Sequence, residues 1–223
     1  MPTSMQTDPS GSRLVIAVDG PAAAGKGTLA RSLATALDLP YLDTGLLYRA
    51  VARRMLDASL DPTSDAEQAA RELRAEDLQR QDLRTPEVDR AASQVAGQRP
   101  VRAALLDFQR QFGAGQGAVL DGRDIGTVIF PDARVKLFLT ASIPCRAERR
   151  WRQFGGDIQA DAQVRAESLA RIGGELAARD DADAARAAAP LRPAADAVLI
   201  DTDRLDAAGV LAEALRIVRE RVT

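Results

Sequence analysis

The sequence predicts an α/β fold in which helices cover both faces of a five-stranded parallel sheet, an arrangement known as doubly wound. The first observation is a set of five short, mainly apolar runs, at 14–18, 41–42, 118–120, 134–140 and 197–200. The second is that segments with apolar residues at helical spacing separate these runs. Strands that are apolar throughout and alternate with helices are typical of a parallel sheet that is buried on both faces.

A glycine-rich turn follows the first strand and leads into the first helix, whose apolar pattern starts at Leu29. The turn consists of Gly20, Pro21, Ala22, Ala23, Ala24, Gly25, Lys26, Gly27 and Thr28. Glycines in such a turn let backbone N–H groups approach a phosphate closely, and the lysine adds a mobile positive charge beside the outer phosphates of a nucleotide. The turn therefore predicts a phosphate-binding loop, in preference to a structural turn that carries a surface lysine.

The loop departs at one position from the general pattern GxxxxGK[ST]. Gly27 occupies the position of the hydroxyl that binds magnesium, and Thr28 comes one residue later. We therefore expect no direct protein ligand to the metal. Nucleotide phosphates and water would hold Mg²⁺, which gives up its water ligands reluctantly, with Thr28 close to those waters.

Composition excludes several classes of catalytic and metal site. The chain of 223 residues has no histidine and a single cysteine, Cys145, so histidine-based catalysis, histidine-ligated metals and internal disulfides are excluded. A net charge of −2 argues against a nucleic-acid or anionic-membrane partner. Residues 1–12 are polar and lack the features of a signal peptide, so we expect a disordered tail and a cytoplasmic protein.

The pattern predicts several helices between the second and third strands. The first carries Arg49 and is capped by the residues that follow the second strand. Residues 57–84 predict a loop with one short surface helix. Two further helices are expected at 86–96 and 100–112, each with a proline in its first turn. The glycine-rich residues 113–117 predict a flexible break before the third strand.

Charged residues follow the third strand directly, at 121–124. The carboxyl ends of buried parallel strands are where doubly wound sheets have their binding sites, so these residues are candidates for function. After the fourth strand, helices are predicted from Ser142, at 161–178 with a weak point at the glycines 173–174, and finally at 205–218.

Arginines beside strand ends and helix starts point to a second substrate. The candidates are Arg49, Arg123, Arg179 and Arg186. Taken singly, each is best explained by a solvated ion pair. Together with the phosphate-binding loop, they favour an acceptor that also carries a phosphate, because guanidinium groups bind phosphate oxygens in pairs and spread the charge of a transition state.

Six motifs occur in a fixed order across 16–202: GPAAAGKGT, LDTGLLYRA, AASQVA, LDGRDIGTVIFPDA, RDDxDxxR and APLxPAADA. With these motifs the chain resembles the bacterial cytidylate kinases, which are P-loop nucleoside monophosphate kinases. Members of that family transfer the terminal phosphate of ATP to CMP or dCMP in pyrimidine nucleotide metabolism. The resemblance covers nearly the whole chain and implies a P-loop NTPase-type fold, with ATP and Mg²⁺ as cofactors.

The resemblance also implies roles for individual residues. The loop at 20–28 would bind ATP, and acceptor binding is implied for Thr44, Arg49, Ser93, Arg102, Arg123, Asp124, Arg179, Asp183 and Arg186. Of these, Ser93, Arg102 and Asp124 would read the cytosine edge, because a carboxylate accepts a hydrogen bond from the exocyclic amine of cytosine and uracil presents an oxygen there. Catalysis is implied for Lys26, Arg123, Arg179 and Arg186. Asp121 would orient water on Mg²⁺, and no general base is needed because the acceptor phosphate is already anionic.

The same resemblance implies a single kinase domain at 13–223, with a monophosphate-binding insert at 57–112 and a lid at 155–190 that closes to exclude water. We expect a monomer. Two features depart from the family's pattern. The insert is short and helical where relatives have a longer β-rich segment, and Ala182 and Ala184 stand where many relatives have charged residues. We therefore expect fewer arginines to stabilise the transferred phosphate.

Two other functions are compatible with parts of this pattern. A small-molecule kinase of the same fold, with UMP, AMP or a non-nucleotide acceptor, would share the loop and the lid and differ at Ser93, Arg102 and Asp124. A regulatory module that binds ATP without chemistry would lack the acceptor-side arginines, which are present here. The sequence therefore favours small-molecule substrates over macromolecular partners.

Overall fold

The structure is a computed structural model that describes residues 13–156 and 161–222. The predicted tail at 1–12 lies outside these residues, and so does the segment 157–160 of the predicted lid. Within the described ranges, no helix has both the length and the apolar character needed to cross a membrane.

The five predicted strands form one parallel sheet, which confirms the predicted fold class. The strands are β1 Val15–Asp19, β2 Tyr41–Asp43, β3 Ala118–Gly122, β4 Val135–Thr140 and β5 Val198–Asp201. Their order across the sheet is β2-β3-β1-β4-β5, and every neighbouring pair is parallel. Parallel neighbours require a crossover connection, and here helices provide it.

Eight α-helices connect or flank the strands in the described parts of the chain. They are α1 Lys26–Leu37, α2 Thr44–Asp57, α3 Glu67–Arg71, α4 Pro86–Ala96, α5 Arg99–Gln116, α6 Ile143–Gln153, α7 Ala162–Ala184 and α8 Ala207–Val222. Two short 3₁₀ turns, Ala75–Gln79 and Gln81–Arg84, lie between α3 and α4, and a π-type turn, Ile125–Ile129, follows β3. The segment at 57–84 is therefore a loop with one short helix, as predicted.

The carboxyl ends of three strands meet at one edge of the sheet. Asp19 at the end of β1 is in register with Gly122 at the end of β3. Asp43 at the end of β2 is in register with Asp121 of β3. The glycine-rich loop after β1 therefore lies beside the charged residues that end β3.

The described residues form four hydrophobic cores, one of which lies between the sheet and the turn after β3, around Leu120 and Ile125. The largest packs α1 and α8 on the sheet and includes Leu33, Leu137 and Ile217. A second joins α2 to α4 and α5 around Val51, and a third joins α6 to α7 around Trp151. Burial of one such side chain contributes about 1.5–3 kcal/mol to the free energy of unfolding, so each group of helices is stabilised by its own packing.

The predicted flexible break at 113–117 was wrong, because α5 continues to Gln116. Gly113 is buried in this helix, and a Cβ atom there would lie only 2.4 Å from Cζ of Phe130. The glycine therefore serves close packing of the helix against an aromatic ring. Gly117 ends the helix with a φ of 81°, a backbone conformation that glycine adopts readily.

The helix predicted at 161–178 is also longer in the structure, since α7 runs through both glycines at 173–174 to Ala184. A Cβ atom at Gly173 would lie 3.2 Å from Cγ2 of Ile143 on α6, so this glycine lets the two helices approach closely. The expected weak point is absent. The charged residues that follow it are consequently held on helical turns.

Two glycines of α5 provide a matched test of this packing. In Gly113→Ala the new methyl group meets the ring of Phe130, whereas at Gly115 no atom lies within 4 Å of the added Cβ position. We expect Gly113→Ala to lower the free energy of unfolding by about 1–2 kcal/mol despite the better helix propensity of alanine. Gly115→Ala should leave it unchanged or raise it by up to about 1 kcal/mol. Urea unfolding measures both, and equal effects at the two positions would contradict the packing role of Gly113.

Candidate active site

A cavity of about 580 Å³ opens at the carboxyl edge of the sheet, between the glycine-rich loop, the helices α2, α4 and α5, and the pair α6 and α7. This volume is typical of a small-molecule site. The sequence-predicted residues that line it are Ala22, Ala23, Ala24, Gly25, Lys26, Gly27, Thr28, Thr44, Arg49, Ser93, Arg102, Asp121, Arg123, Asp124, Arg179, Asp183 and Arg186. These residues are far apart in the sequence and come from different elements, and the fold brings them together around one cavity.

Two predicted loop residues, Gly20 and Pro21, lie outside this lining and shape the base of the loop. Gly20 has a φ of 143°, and a Cβ atom there would lie 2.2 Å from the carbonyl oxygen of Leu139 on β4. The backbone of the loop can pass β4 only because this residue has no side chain. The carbonyl oxygen of Pro21 accepts a hydrogen bond of 2.8 Å from Nζ of Lys26.

The helix α1 begins at the loop with an open N-terminus. Its N-cap, Gly25, has a φ of 91° and supplies no side-chain hydrogen bond to the first turn, so backbone N–H groups remain available to an anion. Lys26 is buried beside them. Burial, together with the positive charge of Arg123, lowers the pKa of the Lys26 ammonium. An anion bound beside Lys26 would counteract both causes and raise this pKa again.

The carboxylate of Asp121 faces the loop from the end of β3. Its Oδ1 accepts a hydrogen bond of 3.1 Å from the hydroxyl of Tyr41, and its Oδ2 lies 3.3 Å from the position of a Cβ atom on Gly27. Burial and the nearby carboxylate of Asp43 raise the pKa of Asp121. The loop has Gly27 where the usual pattern has a hydroxyl residue, and the carboxylate of Asp121 lies directly beside this glycine.

Two residues predicted to recognise the acceptor base are in direct contact. Arg102 forms an ion pair with Asp124, which is buried, and the side chain of Arg102 is only 10% exposed. The guanidinium also donates to the carbonyl oxygen of Ala96 at 3.2 Å and lies 5.5 Å from the ring centroid of Tyr48. These contacts fix the orientation of the pair at the end of the cavity that Ser93 also lines.

A second carboxylate, Asp183, binds two arginines at once. Nε of Arg123 donates to Oδ2 of Asp183 at 3.1 Å, and Arg186 forms an ion pair with Oδ1 of the same group. Arg179 lies one helical turn before Asp183, and among the described residues its buried Nε has no hydrogen-bond partner. Burial and the charge of Arg123 lower the pKa of Arg179 to about 9. This part of the wall carries more positive than negative charge and suits a polyanion.

Ala182 and Ala184, which we expected to weaken the cationic wall, are exposed and do not line the cavity. Helical spacing explains this, because Arg179 and Asp183 share one face of α7 and the two alanines fall on other faces. The cationic set that faces the cavity is therefore independent of these substitutions.

Two acidic residues near the site escaped the sequence analysis. Asp19 ends β1 and accepts hydrogen bonds of 2.8 Å from the backbone N–H groups of both Ile125 and Gly126. Burial raises the pKa of Asp19 to about 6. The rule that drew attention to the end of β3 applies equally to the end of β1 and would have found Asp19. Asp89, in the first turn of α4, contacts Arg49 and Arg150 and carries no comparable signal.

Arg149 on α6 is a further lining residue that the sequence analysis missed. Its guanidinium donates to the hydroxyl of Thr202 at 2.8 Å and to the carbonyl oxygen of the same residue at 2.6 Å. The hydroxyl of Thr202 donates in turn to the carbonyl oxygen of Ala24 in the loop. The loop is thereby tied to the segment that follows β5.

Solved structures with a similar fold include an uncharacterized protein from Eubacterium ventriosum, with a TM-score of 0.55 and 13% identity over 94% of this chain and 100% of that one. A gluconokinase from Sinorhizobium meliloti has a TM-score of 0.50 and 14% identity over 94% of this chain and 93% of that one. At such identities the likeness concerns the fold alone. It agrees with the P-loop NTPase-type fold that the motifs implied.

Sequence comparison is far more specific. The family model described as cytidylate kinase matches residues 16–220. A cytidylate kinase of Acidiphilium cryptum is 63% identical over 87% of this chain and 90% of its own length. One of Granulibacter bethesdensis is 59% identical over 94% of this chain and 98% of its own length. With the motifs, the fold and these matches in agreement, the chain belongs to the cytidylate kinase family.

Proposed function

We propose that this protein transfers the terminal phosphate of ATP to CMP and dCMP, forming CDP and dCDP in pyrimidine nucleotide metabolism. The observation that carries the proposal is the make-up of one cavity wall. The lining combines the uncapped start of α1, which carries Lys26, with arginines from α2, α5, α7 and the residues that follow β3. Two phosphate-bearing substrates, placed end to end, match this distribution of positive charge.

The donor end would bind ATP through the backbone of the loop. The phosphates would take up the free N–H groups at the start of α1, and the ammonium of Lys26 would reach the outer phosphates. Thr28, which lines the cavity, follows Gly27 within the first turn of α1. These groups bind and orient the donor, so the phosphoryl group is held for transfer in line with the acceptor.

Mg²⁺ fits this end of the cavity as an ion held by substrate phosphates and water. Within the described residues, no three acidic, histidine or cysteine side chains stand close enough together to hold a metal. The carboxylate of Asp121 faces the loop, where it would accept hydrogen bonds from water on the ion, with Thr28 nearby. When bound, the ion neutralises charge on the phosphates.

The acceptor end would bind CMP through its phosphate and its base. Arg49, Arg123 and Arg186 would hold the phosphate, and Arg179 and Asp183 would lie near the sugar. The pair formed by Arg102 and Asp124, with Ser93, would read the cytosine edge. The hydroxyl of Thr44 donates to the backbone of β3 at 2.7 Å and fixes the start of α2 beside these groups.

Catalysis would rest on positive charge rather than on proton abstraction. An acceptor phosphate is already a nucleophile, and Lys26, Arg123, Arg179 and Arg186 would stabilise the charge that spreads over the transferred group. Nε of Arg179 is buried and has no hydrogen-bond partner among the described residues, so this guanidinium has a donor left for a phosphate that enters the cavity.

We extend the proposal to domain organisation and setting. The residues at 13–223 would form one kinase domain, in which 57–112 is a short, helical monophosphate-binding insert and 155–190 is the lid. Two separate cores support this division, because units with their own packing can move as bodies. One core joins the helices of the insert to α2, and the other joins α7 of the lid to α6 and to Ala22 of the loop. We propose a monomer that acts in the cytoplasm on small-molecule substrates.

The acceptor assignment is tested with purified protein, ATP and Mg²⁺, by measuring ADP formation with CMP, dCMP, UMP and AMP in turn. We expect turnover with CMP and dCMP, with kcat/KM for UMP and AMP at least about tenfold lower. Preferred turnover of UMP or AMP would contradict the acceptor assignment. Binding of ATP without ADP formation in the presence of any of the four would contradict the assignment as a kinase.

Base recognition is tested by Asp124→Asn, with the exposed Asp107→Asn on α5 as the matched control. The asparagine amide can donate to the oxygen that uracil presents where cytosine has its amine, and it no longer forms an ion pair with Arg102. We expect the ratio of kcat/KM for CMP over UMP to fall by about tenfold or more, equivalent to about 1–3 kcal/mol of discrimination. An unchanged ratio in Asp124→Asn, or an equal loss in the control, would exclude Asp124 from base reading.

Donor binding has a pH signature that follows from the lowered pKa of Lys26. Part of the Lys26 population is uncharged in the empty cavity near and above neutral pH, and phosphates bound beside it raise its pKa again. A non-hydrolysable ATP analogue should therefore bind with net proton uptake at about pH 8, where carboxyl groups are already ionised. Titration calorimetry in buffers of different ionisation enthalpy measures this uptake. Lys26→Met should abolish it, and equal uptake in the variant would contradict the assignment.

A further inference from the structure

The carboxylate of Asp89 contacts two arginines that approach it from different helices. Oδ1 accepts a hydrogen bond of 2.8 Å from Nε of Arg49 on α2, and Oδ2 forms an ion pair with the guanidinium of Arg150 on α6. Asp89 is itself a residue of α4 and is buried. Both arginines line the cavity, whereas Asp89 lies behind them, outside the lining.

The contact joins two units that have separate hydrophobic cores. Arg49 and Asp89 belong to the helices packed around Val51, and Arg150 belongs to the pair packed around Trp151. The guanidinium of Arg150 also lies 4.6 Å from the ring centroid of Phe154 at the end of α6. One buried carboxylate therefore connects the acceptor-side helices with the α6 and α7 pair at the wall of the cavity.

The hydrogen bond through Nε leaves the two terminal nitrogens of Arg49 directed elsewhere. One of them, NH1, lies 3.0 Å from the position of a Cβ atom on Gly45, at the start of α2. This is the region where Thr44 is fixed to β3 and where an acceptor phosphate would lie. A carboxylate on Nε restrains the plane of the guanidinium without occupying its fork of terminal donors.

The two arginines need a shared anion because they are close and partly buried. Burial and the charge of Arg49 lower the pKa of Arg150, which reflects repulsion between the two groups. Without a carboxylate between them, this repulsion would move the side chains apart and change the direction of both. A neutral residue of the same shape in place of Asp89 would therefore change the orientation of the two arginines more than the packing around them.

We propose that Asp89 is a positioning residue for the acceptor phosphate, which it serves by holding Arg49 and Arg150 in one fixed arrangement across the two sides of the cavity. The inference rests on the proposed function, because it assigns Asp89 to the acceptor end. Asp89 does not contact substrate. It sets where the phosphate-binding groups point, and it docks the α6 and α7 pair against the acceptor-side helices.

The test is steady-state kinetics of Asp89→Asn with CMP and ATP varied separately, alongside Glu87→Gln as a control on the same helix. The Glu87 side chain is 62% exposed and lies outside the cavity lining. In Asp89→Asn the amide turns a donor towards one arginine, so we expect the KM for CMP to rise about tenfold while the KM for ATP changes by less than about twofold. Glu87→Gln should match the unmodified chain in both constants.

A second variant distinguishes a positioning role of Asp89 from a folding defect caused by its substitution. Arg150→Gln removes the same contact from its more exposed partner, and we expect it to raise the KM for CMP by about threefold. The double variant should be no worse than Asp89→Asn alone, because both changes remove one shared contact. Additive effects, or a lower melting temperature with both KM values unchanged, would overturn the positioning role. Absence of CMP turnover in the unmodified chain would overturn the proposed function instead.

Discussion

The structure depends on one electrostatic constraint, which is that many cations must face a single cavity without a substrate present to neutralise them. Two like charges 4 Å apart repel by about 4 kcal/mol at the effective dielectric constant of a protein surface. The chain meets this constraint with buried carboxylates that each serve one or two arginines. Asp183 binds Arg123 and Arg186, Asp89 binds Arg49 and Arg150, and Asp124 binds Arg102.

The parallel sheet explains how these groups come together. Because β1, β2 and β3 end at the same edge of the sheet, Asp19, Asp43 and Asp121, which lie in the last two residues of these strands, are close together. Asp19 accepts hydrogen bonds from the backbone of the turn after β3, and Arg123 and Asp124 come directly before that turn in the chain. The strand that leads into the phosphate-binding loop thereby also fixes the residues at the acceptor end, so the two halves of the site share one rigid support.

Local patterns in the sequence were sufficient for the parts of the molecule that depend on local structure. The five strands, the loop and the short helix in 57–84 are each signalled by periodicity, glycines or prolines within a few neighbouring residues. The end of α5 could not be predicted in this way, since the glycines at 113–117 locally favour a break and the contact of Gly113 with Phe130 comes from a distant turn. The role of Asp89 was invisible for the same reason, because its two partners are 40 and 61 residues away.

Arginine meets the same constraint in the cavity wall better than lysine would. A guanidinium group has five donors in a plane, so it can bind a structural carboxylate and still present donors to a phosphate. Arg49 and Arg123 both bind their carboxylates through Nε, which leaves the terminal nitrogens for other partners. An ammonium group has three donors on one atom and no planar fork that matches two phosphate oxygens. Lysine is retained in the loop at position 26, where a compact charge rests on a backbone carbonyl and no carboxylate must be shared.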